Sequence, residues 1–398
     1  MNAFVPHICV GIDGGDIRGN DNQAIQLAIN TLPASGGIVE ILPGVYTCLD
    51  AIHLKSNVRL IGRGDKTILR KCDGARSSLK IDADYGQLKI TPQSTEGFWP
   101  GMGLLVGDHD TGGWLETATT ILDIQGGTMV IADHLVMDYA ASREGWIRNA
   151  CSMISGIEVE NVRVENLTVD GNKATNEPMN GCRGGAIYFH KAKRCAIQGC
   201  MVHDYAGDGI SYQITQDITV ENCTVTGSTN FGLHPGTGST RSLVRRCTFS
   251  DNAVGGYFLC WRVQEGRFED LVCERNGSFG ISIGHKDTDN LFERCILRDN
   301  GQYGLFFRDE ELYNGAHRNT WRNCLIENNE SDQEGCAIRI RGHTHDNLFE
   351  RCTFRGRHVG LHLESHARRF RTVDCAWEGF AQPIVDESGP EGNHCIGT

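Results

Sequence analysis

Proline is scarce, nine in 398 residues, which excludes a proline-rich linker or a collagen-like chain. No apolar run is long enough to span a bilayer, so no membrane-crossing helix and no membrane partner is expected. No block of lysine or arginine occurs, and the net charge is −12. Nucleic acid is therefore not an expected partner. An anionic substrate stays open, because a local basic groove can sit on an acidic body. The opening residues MNAFVPHICVGIDGG lack a basic stretch followed by an apolar one. The expectation is a cytoplasmic protein, with a secreted protein whose signal was removed as the alternative. No Cys-x2-Cys spacing with a matching second half is present, so zinc is not expected.

Cysteine is abundant instead, with 17 residues, and so is glycine, with 49. The cysteines follow a period. Cys200, Cys223, Cys247, Cys295, Cys324, Cys352 and Cys375 close successive segments such as GISYQITQDITVENC, and Leu271 takes the place of cysteine in one of them. Steps are 23 or 24 residues, except two longer ones that carry loops such as DEELYNGAH. Each segment opens on a small residue and alternates apolar and polar positions. Such a repeat cannot bury its apolar face alone, so neighbouring coils must stack. Parallel Cβ vectors ~4.8 Å apart are too far apart and wrongly aimed for disulfides, which predicts buried free thiols.

The predicted fold is all-β: a right-handed parallel β-helix of about 10 coils, with an N-terminal capping helix and a small β insertion. Residues 1–76 supply the cap and first coils, 77–150 the insertion, 151–382 the main coils and 383–398 a short C-terminal cap. DNQAIQLAINTL places Ile25, Ile29 and Leu32 on one helical face, with Asp21 and Asn22 as candidate N-caps. Trp99, Trp114 and Trp146 in the insertion are read as local core rather than as sugar platforms. Asp-Asn-Gly clusters such as SDN, RNG and RDNG are read as turns, because these residues tolerate a left-handed backbone.

The opening DNQAIQLAIN…GGIVEILPGVYTC…LKSNVRLIGRGDKTILRK resembles the pectate-lyase-like β-helix superfamily. That group includes pectate lyases, polygalacturonases, phage tailspikes and mannuronan epimerases. The coils FGLHPGTGST, FGISIGHKDTD and GCAIRIRGHTHD are similar in phase to the catalytic module of the epimerases. The resemblance implies a polysaccharide or oligosaccharide partner. It does not carry the catalytic residues over. The family's aromatic-Gly-x-Asp-Pro-His stretch reads Phe231-Gly232-Leu233-His234-Pro235-Gly236 here, and its Arg-His pair falls on Ser278-Phe279. Only a basic residue survives, Arg341 at a family lysine. The closely spaced aspartates of polygalacturonases are also absent.

Alternation along the coils assigns an outward column. Its substrate-binding candidates are Tyr188, His190, Gln213, Phe258, Phe306, Arg339 and His362, with His285, Lys286 and His343 just past the strands. Its catalytic candidates are His234, Arg308, Asp309, Arg341 and Glu364. In a lyase or epimerase, arginines neutralise the substrate carboxylate and a histidine removes the neighbouring proton. His234 is the first choice of base, with His285, His343 and His362 as rivals. In a glycoside hydrolase, Asp309 and Glu364 are two coils apart, ~10 Å, near the separation of inverting enzymes. A non-catalytic glycan-binding or tailspike-like module is the third reading. No cofactor is firmly implied. Calcium is open, with Asp108/Asp110 or Asp287/Asp289 as hard oxygens, though no complete calcium loop exists. A dimer or trimer is also open.

Overall fold

In a computed structural model, residues 5–328, 336–388 and 393 are described. The fold is a right-handed parallel β-helix, and its strands divide into two compact units.

The first unit opens with strand His7–Gly11 and helix Asn22–Thr31. Asp21 caps the helix, accepting from the Ala24 amide at 3.0 Å. Ile25 and Ile29 are fully buried, as their spacing predicts, and Leu32 joins them. Asn22 is no cap; its Oδ1 accepts from the Leu49 amide at 3.1 Å. Parallel strands Gly37–Ile41, Gly44–Cys48 and Val58–Lys71 follow. The stretch from Arg76 to Arg148 then forms a six-stranded antiparallel sheet. That sheet has its own core of Leu104, Val106, Ile121, Met129, Tyr139 and Ile147. Trp146 packs on Leu105, Ala150 and Met179, but Trp99 is 62% exposed, against the core reading.

The second unit is a stack of parallel coils. One face is built by strands Phe231–Gly236, Gly255–Phe258, Phe279–Ile283, Tyr303–Phe307, Cys336–Ile340 and Val359–Leu363. Each pairs in register with the next. Leu233, Tyr257, Ile281, Leu305, Ile338 and Leu361 form the inward row and are all fully buried. Burial of each contributes about 1.5–3 kcal/mol. Gln382–Asp386 adds a further parallel strand beyond Val359–Leu363, where the sequence suggested only a polar cap. Most of residues 383–398 lie outside the described set.

Cysteines of the repeat are buried from Cys200 to Cys352, Cys375 at the end of the column is half-buried, and, among the described residues, all cysteines are free thiols. A second ladder escaped the sequence reading. Asn252 Nδ2 donates to Asn276 Oδ1 at 3.0 Å, and Asn276 Nδ2 to Asn300 Oδ1 at 2.9 Å. Asn290, Asn319 and Asn347 repeat the pattern. These six are buried. The left-handed residue is the one before each of the first three: Asp251, Arg275 and Asp299 have φ of 56°, 54° and 53°.

Candidate functional site

The outward row of the second unit follows from register: Phe258 pairs with Ser282, Ser282 with Phe306, Phe306 with Arg339, and Arg339 with His362. Two zones differ in character.

The N-terminal zone is aromatic and closed. Phe231 and Phe258 stack at 4.3 Å, and Phe231 lies 5.9 Å from Phe279. Gly255 makes room for this, because a Cβ there would sit 2.2 Å from the Phe279 ring. His234 is wedged edge-on between Phe231 and Phe258, at 5.7 and 5.1 Å, and is only 4% exposed. The first choice of base is thus sealed by its neighbours. Gln213 is fully buried and donates to the His234 carbonyl at 3.4 Å. His190 is half-buried.

Arg308 is likewise turned inward. Its NH2 group donates to the carbonyls of Leu259 and Cys260, both at 2.8 Å, and its NH1 group to Ser282 Oγ at 3.0 Å. It also pairs with Asp287 at 3.2 Å and lies over the Phe258 ring. Those bonds turn most of the guanidinium toward the protein, in contrast to the open position expected of a substrate-binding arginine. Asp287 is fully buried and accepts from Val263 and Gly284 amides. Burial pushes its carboxyl up to about 6, against the pull of Arg308.

The C-terminal zone is charged and open. His285 Nδ1 lies 3.0 Å from Glu310 Oε2. The His285 ring centroid is 4.9 Å from that of Trp261, which is 48% exposed. His285 Nε2 carries no hydrogen bond among the described residues. Asp309, beside Glu310, reaches Arg341 at 3.9 Å, and Arg341 in turn reaches Glu364 at 3.4 Å. Glu364 also accepts from Arg339 Nε at 2.9 Å. Arg339 NH1 faces His362 Nδ1 at 2.7 Å, which engages the lone pair His362 would need as a base. His343 stacks on His366 at 4.0 Å, and its amide donates to the Glu310 carbonyl. Lys286 and Phe306 are half-buried, the latter stacked on Tyr303 at 5.0 Å. The structure therefore joins His285, Asp309, Glu310, Arg341 and Glu364 into one surface. Sequence reading missed Trp261, although it is the aromatic two residues before Val263 on the coil preceding His285.

In the first unit, Tyr188 is 3% exposed and donates to the Cys182 carbonyl at 2.6 Å, so it is no open platform. It lines a cavity of about 350 Å³ together with Asp50, His53, Thr120, Ser155 and Arg183. His53 is the register partner of Ser155. A hydrogen bond to Asp50, 3.5 Å away, raises its pKa, and Asp50 also accepts from Thr120 at 2.6 Å.

The calcium candidates are spent on arginines. Asp108 and Asp110 meet Arg143 at 2.7 and 3.5 Å; Asp287 meets Arg308 and Asp289 meets Arg318. Neither pair converges on a cation position. Among the described residues, no helix is long and apolar enough to cross a membrane.

Comparison with known proteins agrees with this architecture. A family described as right handed beta helix region matches residues 185–354. A second, described as rhamnogalacturonase A/epimerase, pectate lyase-like, matches residues 10–259. No curated protein matches in sequence. Among solved structures, the A-module of the Azotobacter vinelandii mannuronan C-5 epimerase AlgE4 is similar, with a TM-score of 0.57 and 14% identity. That alignment covers 98% of this chain and 100% of the other. The A-module of AlgE6 from the same organism gives 0.53 at 13% identity, covering 95% of both chains. The catalytic domain of a GH87 alpha-1,3-glucanase in complex with tetrasaccharides gives 0.55 at 11%, covering 90% of this chain and 56% of that one. At such identities the likeness shows the fold alone. The family match spans more than half of the residues, and the chain belongs to the rhamnogalacturonase A/epimerase, pectate lyase-like family.

Proposed function

We propose that this chain acts on an acidic polysaccharide along the open zone of the second unit, removing a proton beside a carboxylate as a lyase or epimerase does. One observation carries the reading: His285 is held by Glu310 at 3.0 Å and flanked by an exposed tryptophan, with Nε2 unengaged. A carboxylate on Nδ1 favours the tautomer with its proton there, which leaves Nε2 as the lone pair. A sugar ring packs on Trp261 through its apolar face. Arg341, 44% exposed at its side chain, takes the substrate carboxylate. Neutralising that carboxylate acidifies the adjacent C–H, and His285 Nε2 accepts the proton. Loss of the leaving group then gives a lyase product; return of a proton from the opposite face gives an epimer. Epimerase and glucanase chemistry both occur on this fold, so the fold does not choose between them.

The test is incubation with alginate and pectate in deuterated water. Deuterium in the recovered polymer, or absorbance from unsaturated uronate, is the expected result. Full turnover by His285→Ala would defeat the assignment of the base. A second reading rests on Asp309 and Glu364, which flank the single Arg341 guanidinium. New reducing ends without an unsaturated product would favour that hydrolase.

A further inference from the structure

The antiparallel insertion of the first unit lines an open cleft of about 760 Å³, within the size range of small-ligand sites. Arg76, His109, Glu116, Trp146 and Arg148 are among its walls. Strands Arg76–Ser78 and Trp146–Arg148 pair so that Arg148 lies directly opposite Arg76. Like charges in that position repel and weaken the ladder. Arg76 is compensated by Glu177 at 2.9 Å. Arg148 has no carboxylate within ion-pair distance among the described residues. Its guanidinium lies 3.7 Å from the Trp146 centroid and makes only a long bond, 3.4 Å, to the Pro178 carbonyl.

Glu116 presents the complementary anomaly. The residue is only 7% exposed, and its Oε2 has no hydrogen-bond partner among the described residues. Burial pushes its carboxyl up to about 7, although Arg148 and Arg183 pull the other way. A buried carboxyl oxygen without a donor costs about 1–3 kcal/mol or more. Here an arginine without a direct ion-pair partner and a carboxyl oxygen without a donor line the same cavity without touching. A ligand that bridges them removes both defects.

We propose that this cavity binds an acidic sugar unit, with its carboxylate on the Arg148 fork and a ring hydroxyl donating to Glu116. Guanidinium and carboxylate match in geometry and charge. A sugar acid carries hydroxyl donors one ring-width from its carboxylate, which a bare inorganic anion lacks. The cavity also holds Glu144 and an Asp108 paired with Arg143, so the ligand's carboxylate is placed by Arg148 itself and not by a net positive lining. This site shares no residue with the open zone of the second unit, so it stands or falls separately from the proposed reaction.

The experiment is calorimetric titration of the full chain carrying Arg341→Ala, which removes the arginine proposed to hold substrate in the second unit. The probes are trigalacturonate, maltotriose and sodium sulfate. Trigalacturonate should bind, and maltotriose about tenfold more weakly or not at all. Arg148→Gln and Glu116→Gln should each weaken trigalacturonate about tenfold or more. Arg148→Lys should recover only part of the loss, because the fork is gone. Melting temperatures check that each variant folds. Unchanged affinity in folded Arg148→Gln or Glu116→Gln protein would overturn the proposal, as would no binding of trigalacturonate. Sulfate binding as tightly as trigalacturonate, indifferent to Glu116→Gln, would reduce the site to a plain anion pocket and overturn the sugar assignment.

Discussion

Nδ1 of His285 and Oε2 of Glu310 stand 3.0 Å apart on successive coils, so the carboxylate of one coil fixes the orientation of the proposed base on the other. Removing the ring should cost far more than removing the carboxylate. His285→Ala is expected to lower kcat by about 100-fold to 10,000-fold, the usual worth of a general base. Glu310→Gln should lower it less, because an amide can still orient the ring. Initial rates on a uronate polymer decide this. Equal losses in both would mean that Glu310 does more than orient.

Arg341 and Arg308 should part company in mutagenesis. Arg341→Ala removes an exposed cation and should weaken acidic substrate by about 1.5–3 kcal/mol while leaving the melting temperature nearly unchanged. Arg308→Ala leaves the fully buried Asp287 without its cation. It should destabilise by about 3–5 kcal/mol. Thermal melts beside binding isotherms separate the two roles.

Burial pushes the Glu116 carboxyl up to about 7 in the folded protein, from an ordinary 4.5. The native state therefore holds this proton more tightly than the unfolded chain between those values. Its stabilising contribution is complete below pH 4.5 and is lost as pH rises through 7. Glu116→Gln mimics the protonated form. It should raise stability at pH 8 by about 2 kcal/mol and change it little at pH 4.5. Melting curves at the two pH values test the sign.

Asn300→Ala should be costly for a small truncation. Its Oδ1 receives both the backbone amide and the Nδ2 of Asn276, and its own Nδ2 bonds the Cys273 carbonyl. Loss of those partners at a fully buried position is expected to destabilise by about 2–4 kcal/mol. Serine at the same position should recover part of it.

The inward and outward rows were legible because strand alternation has period two and coils repeat at 23 or 24 residues. The chemical roles were less so, for reasons tied to individual residues. His234 is outward in phase, yet Phe231 and Phe258 close over it, a contact between rings that alternation does not register. Arg308 is outward too, but it folds back onto Asp287, a pairing with no periodic signature. The first-unit strand carrying His53 was missed because its register partner Ser155 follows only after the whole insertion. SDN, RNG and RDNG do sit at bends, but the residue before each asparagine adopts the left-handed backbone and the asparagine itself is buried, which composition alone does not reveal.

The asparagine ladder also bears on how such a chain can change length. Its rungs lie 24 residues apart from Asn252 to Asn276 and from Asn276 to Asn300. In the second run the separations are 29 and 28, and the amide bonds persist at 3.0 and 3.2 Å. The ladder therefore counts coils and not residues: surplus chain is shed as loops while each rung still meets the next. A gene encoding it can gain or lose a whole coil as a cassette, or lengthen a loop at the surface. An insertion between a rung and its own strand would instead break two amide bonds at once.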